Sequence, residues 1–275
     1  MNILRMSVMN FYSELENIFR KQILDSYPLD WEENYITRTL LFEYRKLFRN
    51  IEINGLSPLP IRIESTGYKL TGKPESNFWD IAIIVRITHP EIPTFEGVAS
   101  LEAKKIHKKS RKFEEIKGKQ LDIISSQSKY SMLLMYDFEP IQKHHDYSFF
   151  SSTTKPTHVA VVPIDIVESI VKEKTSSLSS PKKISLDSNS LYKFSVPLAY
   201  QIVFRYFRGL DLEFNESLLK LVKGYETESR LVARERNLPQ YILQVSVSYG
   251  DSYIDTEFDV NRGVFTEITS SELED

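Results

Sequence analysis

The chain has 275 residues, 41% of them hydrophobic, with a formal net charge of −3; that is apolar material for one sizeable core and a smaller appendage, without the global basicity of a nucleic-acid coat. It has no cysteine, which excludes a disulfide framework, a thiolate zinc site and a cysteine nucleophile, and fits a reducing compartment. No apolar run reaches the roughly 18 residues of a membrane span and the N-terminus lacks a signal-peptide pattern, so a soluble, cytoplasmic protein with no membrane partner is expected.

In chain order, Phe11, Leu15, Ile18, Phe19 and Ile23 recur at helical spacing and predict an amphipathic helix over residues 11–24. A second helix follows the Pro28 break, with Asp30 as N-cap, acids in its first turn, and Ile36, Leu40, Leu41, Tyr44 and Phe48 along one face. Asn54-Gly55 and Pro58 to Pro60 punctuate a loop, after which Ile61-Arg62-Ile63-Glu64 begins the first strand, with Glu64 facing outward by alternation. The continuous, β-branched run over 81–85 is the mark of a strand buried on both faces, and Asp80 stands at its entrance. Residues 98–103 read as the next buried strand, reached through the Pro90 to Pro93 loop. On it Glu102 and Lys104 point the same way and Lys105 the other.

Pairing of these two strands would bring Asp80 close to Glu102. Two carboxylates near a carbonyl such as that of Ala103 form a hard oxygen site suited to Mg²⁺, with the Lys104 ammonium placed to orient water or offset charge on a phosphate. The plainer alternative is an ion pair at a strand end. Phe113, Ile116, Leu121, Ile123 and Ile124 predict a helix over 110–125 with Gln120 on its packed face, where a buried amide needs a partner. Glu115-Ile116-Lys117, a second Glu-x-Lys, falls within that helix, where positions two apart do not face each other. Between Glu102 and Lys119 eight cations (Lys104, Lys105, Lys108, Lys109, Arg111, Lys112, Lys117, Lys119) stand against three acids. This local basic stripe suits a phosphate backbone or, more plainly, a solvated face.

The acid, the gap and Glu102-Ala103-Lys104 on the following strand resemble the PD-(D/E)xK nuclease superfamily, over roughly residues 31–171; Trp79 stands where that motif's proline would be. The resemblance implies an α/β, restriction-endonuclease-like mixed central sheet flanked by helices. It further implies a Mg²⁺-dependent endonuclease (Mn²⁺ as the alternative ion) cutting nucleic acid, DNA foremost, in restriction or antiviral defence of the prokaryotic kind. Asp80, Glu102, Lys104 and Gln120 would be catalytic, with Asp80, Glu102 and the Ala103 carbonyl on the metal. In several branches a glutamate of the first helix reaches the metal; Glu33 or Glu43 could fill that role, Glu33 favoured, while Glu33 also suits a first helical turn by its charge alone.

Downstream, 131–136 and 158–164 are further apolar strands, separated by a polar loop whose His144-His145 pair lacks companion ligands. A helix over 166–174 ends the expected nuclease core, 1–174. Residues 175–190 read as a flexible connector, and 191–275 as a C-terminal region. That region comprises a helical patch over 198–207, a helix 216–223 capped by Asn215, and an antiparallel β-meander of 241–249, 253–260 and 264–268, the first strand half-buried by alternation. The meander could recognise substrate, form a homodimer or dock a partner. Without a Walker loop, translocation would need an ATPase or helicase partner. The rival readings are a non-catalytic nucleic-acid-binding or assembly module on the same fold, and a nuclease for RNA or branched DNA.

Overall fold

The structure, a computed structural model, describes residues 3–47, 51–71, 79–116, 118–141, 156–175, 184–225, 238–252 and 259–269. It is an α/β protein built on a large mixed sheet flanked by helices. The strands are β1 (Leu4–Ser7), β2 (Ile51–Asn54), β3 (Ile61–Leu70), β4 (Ile81–His89), β5 (Ile92–Lys105), β6 (Lys112–Ile116), β7 (Met132–Tyr136), β8 (Val159–Pro163), β9 (Ile184–Asp187), β10 (Val196–Pro197), β11 (Tyr241–Tyr249) and β12 (Phe265–Glu267). Among the described residues ten of these form one sheet in the order β1-β2-β3-β11-β4-β5-β7-β8-β10, with β12 also on β3, while β6 and β9 pair apart.

The apolar run of β4 is buried from Ile81 to Ile87, as a strand enclosed on both faces must be. It pairs antiparallel with β5, Ile81 opposite Leu101 and Val85 opposite Gly97, as the two-strand reading anticipates. The far half of β5 runs parallel to β7, Glu102 opposite Leu133 and Lys104 opposite Met135. Parallel neighbours need a crossover, and helix α3 (Gly118–Gln127) lies on it. Helices α1 (Val8–Ser26) and α2 (Glu33–Leu47) cover the opposite face: Phe19, Leu40 and Tyr44 line one small apolar cavity with Ile83, Leu101 and Leu134. On the remaining helices, α4 (Ile164–Thr175) packs against α3, and α5 (Ser188–Tyr192) is capped by Asp187, whose side chain accepts from Ser190 N. The 198–207 patch starts as α6 (Leu198–Tyr200), widens into a π turn and then tightens through a 3₁₀ turn to Gly209, at φ 72°. Asn215 caps α7 (Glu216–Val222), accepting from Leu218 N at 3.0 Å.

Four expectations are corrected. Glu32, just before α2, holds the cap position, its carbonyl accepting from Ile36 N at 3.0 Å, so Asp30 lies outside it. Residues 112–116 are strand, not helix. A register shift between Phe113 and Ile116 lets both face inward, and that bulge counterfeits the three-residue spacing of a helix. The basic stripe is therefore not one helix face, since Lys104 and Lys105 end β5, Lys108, Lys109 and Arg111 lie in the turn that follows, Lys112 begins β6 and Lys119 is in α3. The second half of the proposed connector, 184–190, is β9 and the start of α5, the rest of it (176–183) lying outside the described residues. Finally, the strand at 241–249 is not half-buried in an appended meander. It is inserted between β3 (antiparallel) and β4 (parallel), with all nine residues buried. Its polar positions are inside because strands flank it on both sides: Ser246 stands between Glu64 and Arg86, and Arg86 binds Glu96 at 2.7 Å. Most of the expected 253–260 strand, and His144-His145, lie outside the described residues.

Candidate active site

The site is assembled at the end of the β4–β5 pair. Because Ile81 is opposite Leu101, the residue before β4 and the residue after Leu101 fall on one face, and the structure brings Asp80 and Glu102 within hydrogen-bonding range. Asp80 Oδ2 also accepts the Ala103 amide at 2.7 Å, which fixes the carboxylate against the neighbouring strand. Lys104, two residues on from Glu102, turns its ammonium back to Glu102 Oε1 and to the Ala103 carbonyl, both at 2.6 Å. Gln120, on the first turn of α3, donates to the same Glu102 oxygen at 2.7 Å. The packed-face glutamine thus finds the partner its burial demands.

Glu33 completes the corner. It begins α2, where a first-turn acid suits the helix dipole, and it reaches Lys104 Nζ at 3.6 Å. Glu43 is elsewhere, paired with Lys46. Glu64 sits on β3 opposite Ser246. A contributor that sequence reasoning passed over is Glu114 on β6, whose charge is felt by both Glu33 and Asp80 and which meets Lys105 at 3.5 Å. The alternation of Glu114 with Phe113 was hidden by the helical reading of that stretch.

Electrostatics follow from crowding acids where water is scarce. The Glu102 side chain is 1% exposed and that of Lys104 9%. Burial, then the nearby Asp80 charge, pushes the Glu102 carboxyl up to about 8 against the pull of Lys104. Burial does the same to Glu33, up to about 9, helped by Asp80, Glu114 and Glu102 and opposed by Lys104; burial likewise raises Asp80. For Lys104, burial works to lower the pKa, but Glu102, Glu33 and Asp80 outweigh it and hold the ammonium charged well beyond its ordinary range. One ammonium among several carboxylates leaves the cluster short of positive charge.

The donor set has the right chemistry for a hard divalent ion: carboxylates at raised pKa, with Oε2 of Glu33 and Oε2 of Glu102 both buried and without a hydrogen-bond partner. Two observations count the other way. The Ala103 carbonyl, expected on the metal, is taken by Lys104, and among the described residues no three His, Cys, Asp or Glu side chains are already grouped to hold an ion. Loading would therefore require Lys104 to release Ala103 or the acids to close up. Comparison of the chain with protein-family models, with curated proteins and with solved structures returned no match.

Proposed function

We propose that the chain is a metal-dependent endonuclease that hydrolyses phosphodiester bonds in nucleic acid, DNA foremost, on a restriction-endonuclease-like sheet of the PD-(D/E)xK kind. The observation that carries this reading is the convergence of Asp80, Glu102, Lys104 and Gln120, from two strands and the following helix, on one set of hydrogen bonds. Asp80 and Glu102 would hold Mg²⁺, or Mn²⁺, with Glu33 beside them. The bound ion would make a water acidic enough to attack at neutral pH and neutralise charge building on the phosphate. Lys104 orients that water or the phosphate oxygen, and Gln120 fixes the Glu102 carboxylate through Oε1. A non-catalytic binding module is the second reading. It is favoured by the closure of Lys104 on both Glu102 and Ala103, which tames the cluster without an ion.

Cleavage of labelled DNA and RNA by the full chain, in Mg²⁺ and in EDTA, separates the two. The enzyme reading expects metal-dependent cutting that falls at least about 100-fold in Lys104→Ala and Asp80→Ala, the scale of losing a preorganised electrostatic group. Undiminished cutting by both variants would remove the assignment, and binding with no cutting under any metal would favour the module.

A further inference from the structure

The strand that carries Lys104 runs straight into an exposed surface of unusual make-up. Ile106 extends its line, donating to Tyr136 O at 3.0 Å, and His107, Lys108, Lys109 and Ser110 beyond it are exposed. Trp31 binds the Ile106 carbonyl at 2.9 Å, and Glu33, two residues along, meets Lys104. Surface and site therefore share one corner. Lys108 is four residues on from Lys104, at most about 14 Å of extended chain.

On that surface the rings of Tyr27 and Phe138 stack, centroids 4.3 Å apart and planes at 19°, with Trp31 edge-on to both. Cations cap the pair: Lys108 Nζ lies 5.0 Å from the Tyr27 centroid and the Arg111 guanidinium 5.3 Å from that of Phe138. Arg111 is held in place by both carboxylate oxygens of Asp137, each at 2.9 Å. Lys109 and Lys112 are exposed and make no ion pair among the described residues. At the tip of the turn between α1 and α2, Leu29 projects into solvent, 92% exposed.

We propose that this corner binds an unpaired stretch of polynucleotide leading into the site, with Leu29 as a wedge against the first base pair. The preferred substrate then carries a single-stranded segment rather than being an intact duplex. Cations alone would serve a duplex, whose bases are stacked away inside. The partly exposed Arg111 guanidinium, backed by the Phe138 ring, offers a flat cation that suits a strand whose base faces are open, and a protruding aliphatic side chain suits the point where stacking is broken. The contacts are to backbone and base faces, so they carry little sequence preference. The position of the cut rests on the nuclease reading; the binding does not.

The test is fluorescence anisotropy on the full chain in EDTA, with labelled single-stranded DNA, single-stranded RNA, blunt duplex DNA and duplex DNA with an overhang. A single strand, of either sugar, and the overhang duplex should bind at least about 10-fold more tightly than the blunt duplex. Lys109→Glu with Lys112→Glu should weaken single-strand binding about 10-fold and flatten the log–log salt dependence by about 1.4, at roughly 0.7 per phosphate released. Leu29→Ser should weaken the overhang duplex and spare the single strand. These substitutions are on exposed positions, and circular dichroism checks that the variants stay folded. Equal or tighter binding of the blunt duplex, or folded lysine variants that bind as the parent does, would overturn the proposal. Single-strand preference without cleavage would sink the nuclease reading and keep this one; cleavage with a blunt-duplex preference would do the reverse.

Discussion

Glu102→Gln separates what the site does for stability from what it does for chemistry. The change is nearly isosteric, and the amide oxygen can still accept from Lys104 and Gln120 as Oε1 does now. The new NH₂ would occupy the place of the buried, partnerless Oε2. In the parent, burial and Asp80 raise the carboxyl from an ordinary 4.5 to about 8. A folded-state pKa above the unfolded one means stability that is complete below about 4.5 and lost as pH rises through about 8. Taken alone, that shift corresponds to about 5 kcal/mol at high pH. Because Asp80 and Glu33 share the same protons, roughly 1–3 kcal/mol is the portion to expect from Glu102 itself. Urea denaturation in EDTA should therefore show parent and variant alike at pH 5 and the variant more stable by that amount at pH 9, while cleavage is abolished. Added Mg²⁺ should stabilise the parent at pH 9 and leave the variant nearly unmoved, since only the parent offers the second carboxylate. A variant less stable than the parent at pH 9, or equal stabilisation of both by Mg²⁺, would refute the reasoning.

Glu16 on α1 gives the matching control away from the site: it is 4% exposed, and burial raises its carboxyl to about 8 against the opposing pull of the Thr157 hydroxyl. Glu16→Gln should likewise stabilise the protein at pH 9 and not at pH 5, but with cleavage and the Mg²⁺ response unchanged in the same assays. Gly97→Ala tests the packing behind β5, where an added Cβ would lie 2.7 Å from both Leu212 Cβ and Phe214 Cε1. A loss of about 1–3 kcal/mol is expected from such overpacking, measurable by thermal denaturation.

The β4–β5 pair and its acids were legible because the signal there is local and doubled. A short, continuous run of β-branched residues favours an enclosed strand over a helix, and alternation alone puts Glu102 and Lys104 on one side. Register then did the rest, through one strand pairing that a short loop makes nearly obligatory. Glu33 was legible only as one of several acids, since nothing local says which turn of α2 meets the end of β5. The failures share one cause: spacing reports which side chains are inside, not what encloses them. Phe113 and Ile116 are both inside, on a bulged strand rather than a helix. In β11 the alternation of Leu243, Val245 and Val247 with Gln244, Ser246 and Ser248 is real, yet the polar side is enclosed by β3 and β4 instead of water, Ser246 between Glu64 and Arg86 and Gln244 between Thr66 and Ile84. Only the three-dimensional partners, Thr66, Glu64 and Arg86, distinguish the two cases.

That insertion makes the C-terminal region inseparable from the site. Strand β11 supplies both open edges between β3 and β4: Tyr241 to Tyr249 pair along the whole of Ile61 to Lys69, and Tyr241 to Ser248 along Ile81 to Thr88. Removing it would strip hydrogen-bonding partners from β4 just beyond Asp80, whose own carbonyl accepts from Tyr241 N at 2.9 Å. It would also expose the surfaces that bury Tyr241, Ile242, Leu243, Val245, Val247 and Tyr249. At roughly 1.5–3 kcal/mol for each large apolar side chain, six such losses rival the whole stability of about 5–15 kcal/mol that a domain has to lose. A chain ending at residue 225 should therefore fail to unfold cooperatively in urea and show no dispersed amide spectrum by NMR. A detachable C-terminal unit would leave a truncated core with a sharp transition and its metal response intact, and that result would contradict the pairing of β11 with β4.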